Sequence, residues 1–477
     1  MNNQHWDFSH RIHLQLITLF TSGLCAVLGC NYEEVSKESE RVTPVKNPAE
    51  SPPAKGFGGT SQTLCRLFWQ DGNKGTICAA DLCSTEDGFV TKQMPVEGLK
   101  IMDIKQNSFV QMKIVDTSLI VGVRDNLNGK QRSGWLVIDT GVEEESHGDH
   151  SHWHYNKKPK LLSEHLDTNQ GNPAHVYRYG QQIYIAQDKN NGFTVVNSDK
   201  GRTSSSFFQG GGGHITIAAL KGQIAYASWI DRAGENVGRI DVVDLRSNEG
   251  KPKYSFKLPT GGIHGATACG NRVFFAPSEG IDWVDCDFEF QKSNDNVVLN
   301  HLSLGDEENR GYRTGSFESF ANHVICIANC KGCPPALCVI DGTTPSPKVS
   351  RLVCRDIEEG QRLSSLRTVT VSGKPYGLAF AESEEFPDKL LVFALDENGD
   401  RKFDDLKLVK SIDVGNSKVE GHSGHHGIDF VPDQNIAVIT NPGDGTLQIL
   451  DMNQWEITKT VQVHGKPTRI VAQGGMQ

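Results

Sequence analysis

The side chains best suited to binding a metal ion are concentrated in one short stretch, HGDHSHWH, which we call the His-rich segment (residues 147–154). Its candidate ligands are His147, Asp149, His150, His152 and His154. Imidazole nitrogens and carboxylate oxygens are ligands that Zn²⁺ prefers, and a loop can fold several of them around one ion. We therefore interpret this segment as a metal-capturing loop. The alternative is a solvated polar loop, or a surface tract that binds transition metals only adventitiously.

A second set of histidines recurs at one position of a repeated pattern, close to the start of a predicted strand and mostly after small residues. Its members are His175, His214, His264, His425 and His426. If the repeats surround an axis, three or four imidazoles could meet at one ion. The alternative for each is a hydrogen-bonded structural histidine.

The elements that must position these histidines are strands. From about residue 62 onward, short β-rich runs alternate with clusters of Gly, Asn, Asp and Pro, which predicts an all-β fold. Many repeats contain a third strand of the form G-x-a-x-a-a-D, where a is apolar, as in GRIDVVDL from Gly238 and GTLQILDM from Gly445. A repeat of roughly 40 to 60 residues is typical of propeller blades. We predict a β-propeller of seven or eight blades, with eight favoured.

The two ends of the chain are predicted to close this ring. Residues 466–472 form a β-rich run that could add a strand to the N-terminal sheet at residues 65–95. Propellers protect their sheet edges by radial repetition, and such a shared sheet joins the last blade to the first. A pair of β-sandwiches is the alternative, which the repeated three-strand pattern disfavours.

The N-terminus carries features of export. Residues 1–29 include an apolar run that is too short to span a bilayer comfortably and ends in small residues, as in a signal peptide. Val27-Leu28-Gly29-Cys30 resembles a bacterial lipobox, which implies a lipid anchor on Cys30; a plain signal peptide is the alternative. Residues 30–61 are rich in Glu, Ser, Pro and Lys and are predicted to form a flexible tether to the propeller domain, residues 62–477. We expect a periplasmic or cell-envelope location.

Ten further cysteines follow the tether, and an even number in an exported protein indicates disulfides of unknown connectivity. They are Cys65, Cys78, Cys83, Cys269, Cys286, Cys326, Cys330, Cys333, Cys338 and Cys354. The C-x-x-C at Cys330 and Cys333 could also be half of a zinc ribbon, but no second C-x-x-C stands at the required spacing.

Charge and motif content restrict the function. A net charge of -10 without a basic stripe argues against nucleic-acid binding. Neither G-x-S-x-G nor H-E-x-x-H occurs, so the sequence offers no familiar hydrolase motif. We predict a non-enzymatic protein; a metal-dependent propeller hydrolase similar to lactonases, or an interaction scaffold, remains the alternative.

Over roughly residues 62 to 472, the chain resembles the periplasmic zinc metallochaperones of the AztD type. The most specific pieces are HGDHSHWH, GNPAHV, GGGGH and GHSGHHGI. This resemblance implies capture of Zn²⁺ and its delivery to the solute-binding protein of a zinc ABC importer. It also implies that the His-rich segment is a flexible capture and transfer element, and that His175, His214, His264 and His425 or His426 form a tighter site. Other divalent transition metals also suit imidazole. The lipobox and the ten cysteines depart from that family and would fit a tethered store or a membrane-held relay.

Overall fold

The computed structural model describes residues 61–477, apart from residues 128, 149–150, 200, 307–310, 420–421 and 424–425. The predicted signal peptide, lipid anchor and most of the tether lie outside the described residues, as do Asp149, His150 and His425. No helix within the described part of the chain is long and apolar enough to cross a membrane.

Strands account for almost all of the regular structure in the described residues, which confirms the predicted all-β class; one short 3-10 helix spans Asp188–Asn190. The first eighteen strands are β1 (Gln62–Asp71), β2 (Thr76–Thr85), β3 (Gly88–Met94), β4 (Asn107–Val115), β5 (Ser118–Asp125), β6 (Ser133–Asp139), β7 (Glu143–Ser146), β8 (Ser151–His154), β9 (Lys160–Asp167), β10 (Pro173–Tyr179), β11 (Gln182–Gln187), β12 (Gly192–Asp199), β13 (Arg202–Gln209), β14 (Ile217–Leu220), β15 (Ile224–Ser228), β16 (Arg239–Asp244), β17 (Pro252–Lys257) and β18 (Ala266–Cys269). The remaining strands are β19 (Arg272–Phe275), β20 (Ile281–Asp285), β21 (Asn300–Leu302), β22 (Glu318–Phe320), β23 (His323–Cys330), β24 (Cys333–Asp341), β25 (Val349–Val353), β26 (Arg362–Val371), β27 (Lys374–Glu382), β28 (Lys389–Ala394), β29 (Lys407–Asp413), β30 (Lys418–Val419), β31 (His422–Ser423), β32 (Ile428–Phe430), β33 (Ile436–Asn441), β34 (Thr446–Asp451), β35 (Glu456–Gln462) and β36 (Pro467–Gln473).

These strands form eight four-stranded sheets, which are the blades of an eight-bladed propeller. Blade 1 consists of β36, β1, β2 and β3, and blade 2 of β4, β5, β6 and β9. Blades 3 to 7 take successive groups of four strands from β10 to β29, and blade 8 takes β32 to β35. Two hairpins stand outside the blades, β7 with β8 and β30 with β31. The favoured blade number is confirmed.

Closure of the ring follows the prediction. Strand β36 pairs antiparallel with β1, so that Arg66 lies opposite Gln473 and Trp69 lies opposite Ile470. The first blade therefore contains strands from both ends of the described chain, which removes an open edge from the ring.

The G-x-a-x-a-a-D pattern marks the third strand of its blade. Gly238 and Gly280, which precede β16 and β20, have φ angles of 70° and 56°, a region that favours glycine. A Cβ on Gly238 would also lie 2.3 Å from the carbonyl oxygen of Leu258 on the neighbouring strand segment. The apolar positions that follow are buried, as Ile240 and Val242 show. The glycine therefore allows the main chain to turn close to the neighbouring strand before it enters a strand that is buried on both faces.

The core is divided among the blades. Eight hydrophobic clusters fill the eight spaces between neighbouring blades; the cluster between blades 4 and 5, for example, contains Tyr226, Phe256 and Phe275. Burial of a large apolar side chain contributes about 1.5–3 kcal/mol. Each blade is therefore held on both sides, which fixes the positions of the inner strands.

The first strand of each blade contacts the first strand of the next, all the way around the ring. In order, these strands are β36, β4, β10, β14, β18, β22, β26 and β32. Several of them line a central cavity of about 930 Å³. Side chains at the start of these strands can therefore meet across neighbouring blades, as the sequence pattern predicted.

The predicted disulfide chemistry is present at one pair. Cys330 and Cys333, the two ends of the C-x-x-C, form a disulfide where β23 turns into β24. The other eight cysteines of the described residues are thiols, and most of them are buried: Cys65, Cys78, Cys83, Cys269, Cys286, Cys326, Cys338 and Cys354. The two cysteines of the C-x-x-C are therefore bonded to each other.

Candidate metal centre

Three histidines from three consecutive blades converge beside the central cavity. His175 lies on β10 of blade 3, while His214 and His264 lie in the segments that lead into β14 of blade 4 and β18 of blade 5. One ligand atom from each lies within 4.8 Å of those of the other two. The Nε2 atoms of His175 and His214 are 2.9 Å apart. This three-histidine cluster could hold a metal ion.

Glycines bring His214 into this position. A Cβ on Gly212 would lie 2.3 Å from the ring of Trp229, so the chain could not pass the indole with a larger residue. The backbone N–H of Gly211 and the indole Nε1–H of Trp229 both donate to Oδ2 of Asp241, at 2.8 and 2.7 Å. The four-glycine run therefore packs against Trp229 and presents the next residue, His214, to the three-histidine cluster.

His264 is held by backbone contacts. Its backbone N–H donates to the carbonyl of Ala276 at 3.0 Å. Its Nδ1 atom lies 3.2 Å from the carbonyl oxygen of Gly315, and a Cβ on Gly315 would lie 3.2 Å from the same nitrogen. The small residue at position 315 therefore lets the main chain approach the imidazole closely enough to hydrogen-bond it.

Hydrogen bonds on Nδ1 leave Nε2 available as the ligand atom. Nδ1 of His214 lies 3.3 Å from Oδ2 of Asp188, whose other oxygen accepts the backbone N–H of Ile215 at 3.1 Å. Asp188 also forms an ion pair with Arg124 at 3.4 Å. With Nδ1 protonated toward Asp188 in His214 and toward Gly315 in His264, Nε2 is the unprotonated nitrogen of each ring and can bind a metal ion. Outer partners of this kind are usual for metal-binding histidines.

Burial favours the neutral, metal-binding form of two of these imidazoles, His175 and His264. It lowers the pKa of His175 well below the ordinary range, and the neighbouring His214 and His264 lower that pKa further. Burial also lowers the pKa of His264, although the hydrogen bond to Gly315 acts in the opposite direction. At neutral pH both rings are therefore uncharged.

The dimensions suit a tetrahedral ion. Zn–N bonds of about 2.0–2.1 Å at tetrahedral angles place ligand nitrogens roughly 3.3–3.4 Å apart. The separations in the cluster begin at 2.9 Å and reach no more than 4.8 Å, so shifts of about an ångström or less would accommodate an ion. Three protein ligands also leave a fourth position open to an incoming group. His264 is exposed, which gives access to the site.

The described residues of the His-rich segment belong to the β7–β8 hairpin, in which β8 pairs antiparallel with β7. Nε2 of His154 lies 3.1 Å from Oε2 of Glu145, and Nε2 of His147 lies 3.5 Å from Oε1 of the same residue. The ring centroids of His147 and His152 are 5.1 Å apart. The hydrogen bond from His154, followed by the charge of His147, lowers the pKa of Glu145. The structure therefore gathers three predicted ligands around one exposed carboxylate, while Asp149 and His150 lie outside the described residues.

Arg66 fastens the base of this hairpin to blade 1. Its guanidinium donates to the carbonyl oxygens of Thr140 at 2.9 Å, Tyr155 at 3.2 Å and Lys157 at 2.6 Å. It also pairs with Asp81 at 2.7 Å, and its side chain is only 1% exposed. Arg66 therefore holds both ends of the hairpin, while residues 143–148 stay exposed.

The structure does not bring His426 to the three-histidine cluster. Its ring is fully buried, stacks on Phe380 with ring centroids 4.6 Å apart, and places Nδ1 2.7 Å from the carbonyl oxygen of Thr440. Its Nε2 lies 3.3 Å from Oδ2 of Asp388. His426 therefore joins the packing of blades 7 and 8; the neighbouring His425 lies outside the described residues.

Sequence reasoning did not identify Asp188 or Glu145 as members of these groups. Asp188 directly follows the buried strand β11, a position where a polar residue often turns toward a site, but nothing in its spacing relates it to His214. Glu145 belongs to an acidic run whose pairing with the histidines depends on the register of β7 and β8.

The fold and this cluster define a class: an eight-bladed propeller with three converging histidines beside its central cavity. No protein-family model and no curated protein sequence matches this chain. Among solved structures, it is similar to AztD from Citrobacter koseri, with a TM-score of 0.60 and 20% identity over 87% of this chain and 99% of that chain. The apo form of AztD from the same organism gives a TM-score of 0.59 and 19% identity over 87% and 98% of the two chains.

At this identity the similarity to AztD shows a shared fold. A propeller from Bacteroides uniformis assigned as a 6-phosphogluconolactonase is less similar, with a TM-score of 0.48 and 12% identity over 86% of this chain and 100% of that chain. That weaker likeness carries no argument for an enzymatic activity.

Proposed function

We propose that this protein is an extracytoplasmic, non-enzymatic zinc metallochaperone, which captures Zn²⁺ and passes it to a zinc-uptake partner. The observation that carries the proposal is the convergence of the three histidines at one point. Burial lowers the pKa of His175 and His264, and the Nδ1 partners of His214 and His264 leave Nε2 as the ligand atom. The shared fold with AztD and the sequence motifs quoted above support the same function.

His175, His214 and His264 are the proposed ligands of the zinc cargo. Neutral imidazoles bind the ion without a thiolate, and an open fourth position lets an acceptor ligand attach before the histidines leave. The His-rich segment would capture the ion first and transfer it. Its proposed ligands are His147, Asp149, His150, His152 and His154. His426 is not part of this assignment, since its ring is fully engaged in packing, whereas His425 stays a predicted ligand.

The proposed acceptor is the solute-binding protein of a zinc ABC importer, as the family resemblance implies. A lipid anchor on Cys30 and the tether behind it would hold the propeller near the membrane that contains the importer. Transfer would then occur between two proteins confined to one surface, which raises their effective concentration for each other.

Replacing Asp188 with asparagine is expected to weaken zinc binding by about 10- to 100-fold, the usual effect of losing an outer partner of a metal-binding histidine. The asparagine keeps the size of the side chain but removes the negative charge that steadies Nδ1–H of His214. Competition with a chromophoric chelator measures the change. Asp285→Asn, at an exposed aspartate of blade 5, is the control and should leave the affinity unchanged. If the Asp188→Asn variant and the parent had equal zinc affinities, Asp188 would not be the outer partner that orients Nδ1–H of His214.

Zinc affinity is expected to be nearly constant from pH 7.5 to about 6.5 and to fall at lower pH. The pKa values of His175 and His264 are lowered, so protons compete with the ion only below the ordinary histidine value of about 6.5. Chelator competition at half-unit pH steps checks this. A tenfold loss between pH 7.5 and 6.5, or no loss down to pH 5, would contradict neutral histidine ligands with lowered pKa values.

The triple variant His147→Ala, His152→Ala, His154→Ala is expected to keep one zinc per chain but to exchange it more slowly, by roughly tenfold, because local charge and ligand density raise capture rates. Stopped-flow transfer to a fluorescent chelator measures the rate, and elemental analysis measures the content. His464→Ala, at an exposed histidine far along the chain, is the control. Loss of the bound zinc in the triple variant would contradict the assignment of tight binding to the three-histidine cluster and of capture to the His-rich segment. Zinc-dependent hydrolysis of a lactone by the parent would support the hydrolase alternative.

A further inference from the structure

The central cavity that adjoins the three-histidine cluster has a charged wall of its own. His175 and His264 line this cavity of about 930 Å³, together with Lys113 and Arg469. Lys113 lies on β4 and Arg469 on β36, the first strands of blades 2 and 1, which contact each other. Two cations from neighbouring blades therefore face the same enclosed space.

Another part of the channel wall carries charges that are already paired. Arg367, on the first strand of blade 7, forms ion pairs with Asp429 at 2.9 Å and with Glu318 at 3.8 Å. The second oxygen of Asp429 accepts the backbone N–H of Ala472 at 2.9 Å. These carboxylates are therefore occupied by Arg367 and the main chain.

Lys113 and Arg469 have no such partners. Within the described part of the chain, neither side chain makes a hydrogen bond or an ion pair, although both are largely enclosed by the propeller. Burial, followed by the charge of Arg367, lowers the pKa of Lys113, and burial lowers the pKa of Arg469. Glu318 and Asp429 act on Lys113, and Glu382 acts on Arg469, but none of them forms an ion pair with these two cations. An anion bound between Lys113 and Arg469 would therefore offset the remaining cost of burying their charges.

We propose that Lys113 and Arg469 form a binding site for a small multivalent oxyanion, either phosphate or a short dicarboxylate, in the central cavity. The planar guanidinium of Arg469 can donate two parallel hydrogen bonds to two oxygens, and Lys113 adds a compact charge on the adjacent strand. The overall charge of the protein is -10, so attraction of an anion is a property of this wall and not of the whole surface.

A consequence follows for the neighbouring cluster, and it rests on the proposed zinc function. Arg469 and His175 line the same cavity, so the positive charge of Arg469 also opposes a metal cation at the cluster. An anion beside Arg469 would reduce that opposition. By thermodynamic linkage, zinc and the anion should then each strengthen the binding of the other.

The test uses metal-free full-length protein, so its outcome does not depend on zinc binding. Isothermal titration with inorganic phosphate and, separately, with succinate, both at constant ionic strength, is expected to show one saturable site for at least one of the two. Saturation by phosphate alone or by succinate alone would identify the class of oxyanion. The double variant Lys113→Met, Arg469→Met should weaken binding by at least roughly 100-fold, since it removes both charged donors.

Two further variants make the result decisive. Lys113→Arg with Arg469→Lys keeps both charges and should retain saturable binding, weaker than that of the parent because the guanidinium no longer stands at position 469. Lys105→Met with Arg202→Met removes two exposed charges elsewhere and should leave binding unchanged. No saturable binding of either anion by the parent, or equal binding by the Lys113→Met, Arg469→Met variant, would overturn the proposal.

Discussion

Replacing His214 and His264 together with alanine is expected to reduce the zinc affinity of the protein by at least about 10³-fold. Four-ligand structural zinc sites bind with about 10–16 kcal/mol, or roughly 2.5–4 kcal/mol per ligand. Loss of two of three ligands therefore removes most of the binding free energy, since each 1.4 kcal/mol corresponds to a factor of ten. The remaining His175 would bind no more tightly than a single exposed imidazole. Competition with a chelator of known affinity measures the loss.

The control for this variant is another histidine that shares the sequence pattern. His426→Ala should leave zinc affinity within about threefold of the parent even though it lowers stability, because that ring packs on Phe380 and lies outside the cluster. The ion would have to bind elsewhere if the double variant His214→Ala, His264→Ala kept the zinc affinity of the parent. The same would follow if His426→Ala lost its zinc.

Arg66→Met is expected to lower the free energy of unfolding by about 3–5 kcal/mol, the usual cost of removing one partner of a buried ion pair. The methionine leaves Asp81 without its cation and three carbonyl oxygens without a donor, those of Thr140, Tyr155 and Lys157. The base of the β7–β8 hairpin would lose its attachment to blade 1. The midpoint of urea unfolding and the rate of proteolysis within residues 140–157 measure the two effects.

Arg132→Met is the matched control for this prediction. Arg132 and Glu164 form an exposed ion pair on blade 2, with side chains 65% and 37% exposed, and such pairs contribute only about 0–1 kcal/mol. A shift for Arg66→Met no larger than that for Arg132→Met, with unchanged proteolysis of the hairpin, would contradict the proposed role of Arg66.

The propeller could be predicted from the sequence because each blade is specified by a short local pattern that recurs along the chain. The glycine that opens a third strand, such as Gly238, and the apolar positions after it recur in several blades, so strand order and blade number follow from counting. The closing strand could be found because residues 466–472 are a strand without a blade of their own. These features depend on neighbours in sequence.

The composition of the metal centre could be predicted only in part. The repeat phase places His175, His214, His264 and His426 at comparable positions in their blades, but it does not say which blades are neighbours across the cavity. Blades 3, 4 and 5 are consecutive and bring three histidines together, whereas blade 8 is distant in the ring and buries His426. The hydrogen bond from His214 to Asp188 likewise joins two blades, so no local pattern contains it.

The central claim is that a single zinc ion binds between His175, His214 and His264. Anomalous diffraction from crystals of the zinc-loaded protein, measured on both sides of the zinc absorption edge, locates the ion directly. We expect one strong peak within about 2.0–2.1 Å of the Nε2 atoms of all three histidines. A strong peak elsewhere with none at this cluster, or no zinc peak in crystals grown with excess zinc, would contradict the claim.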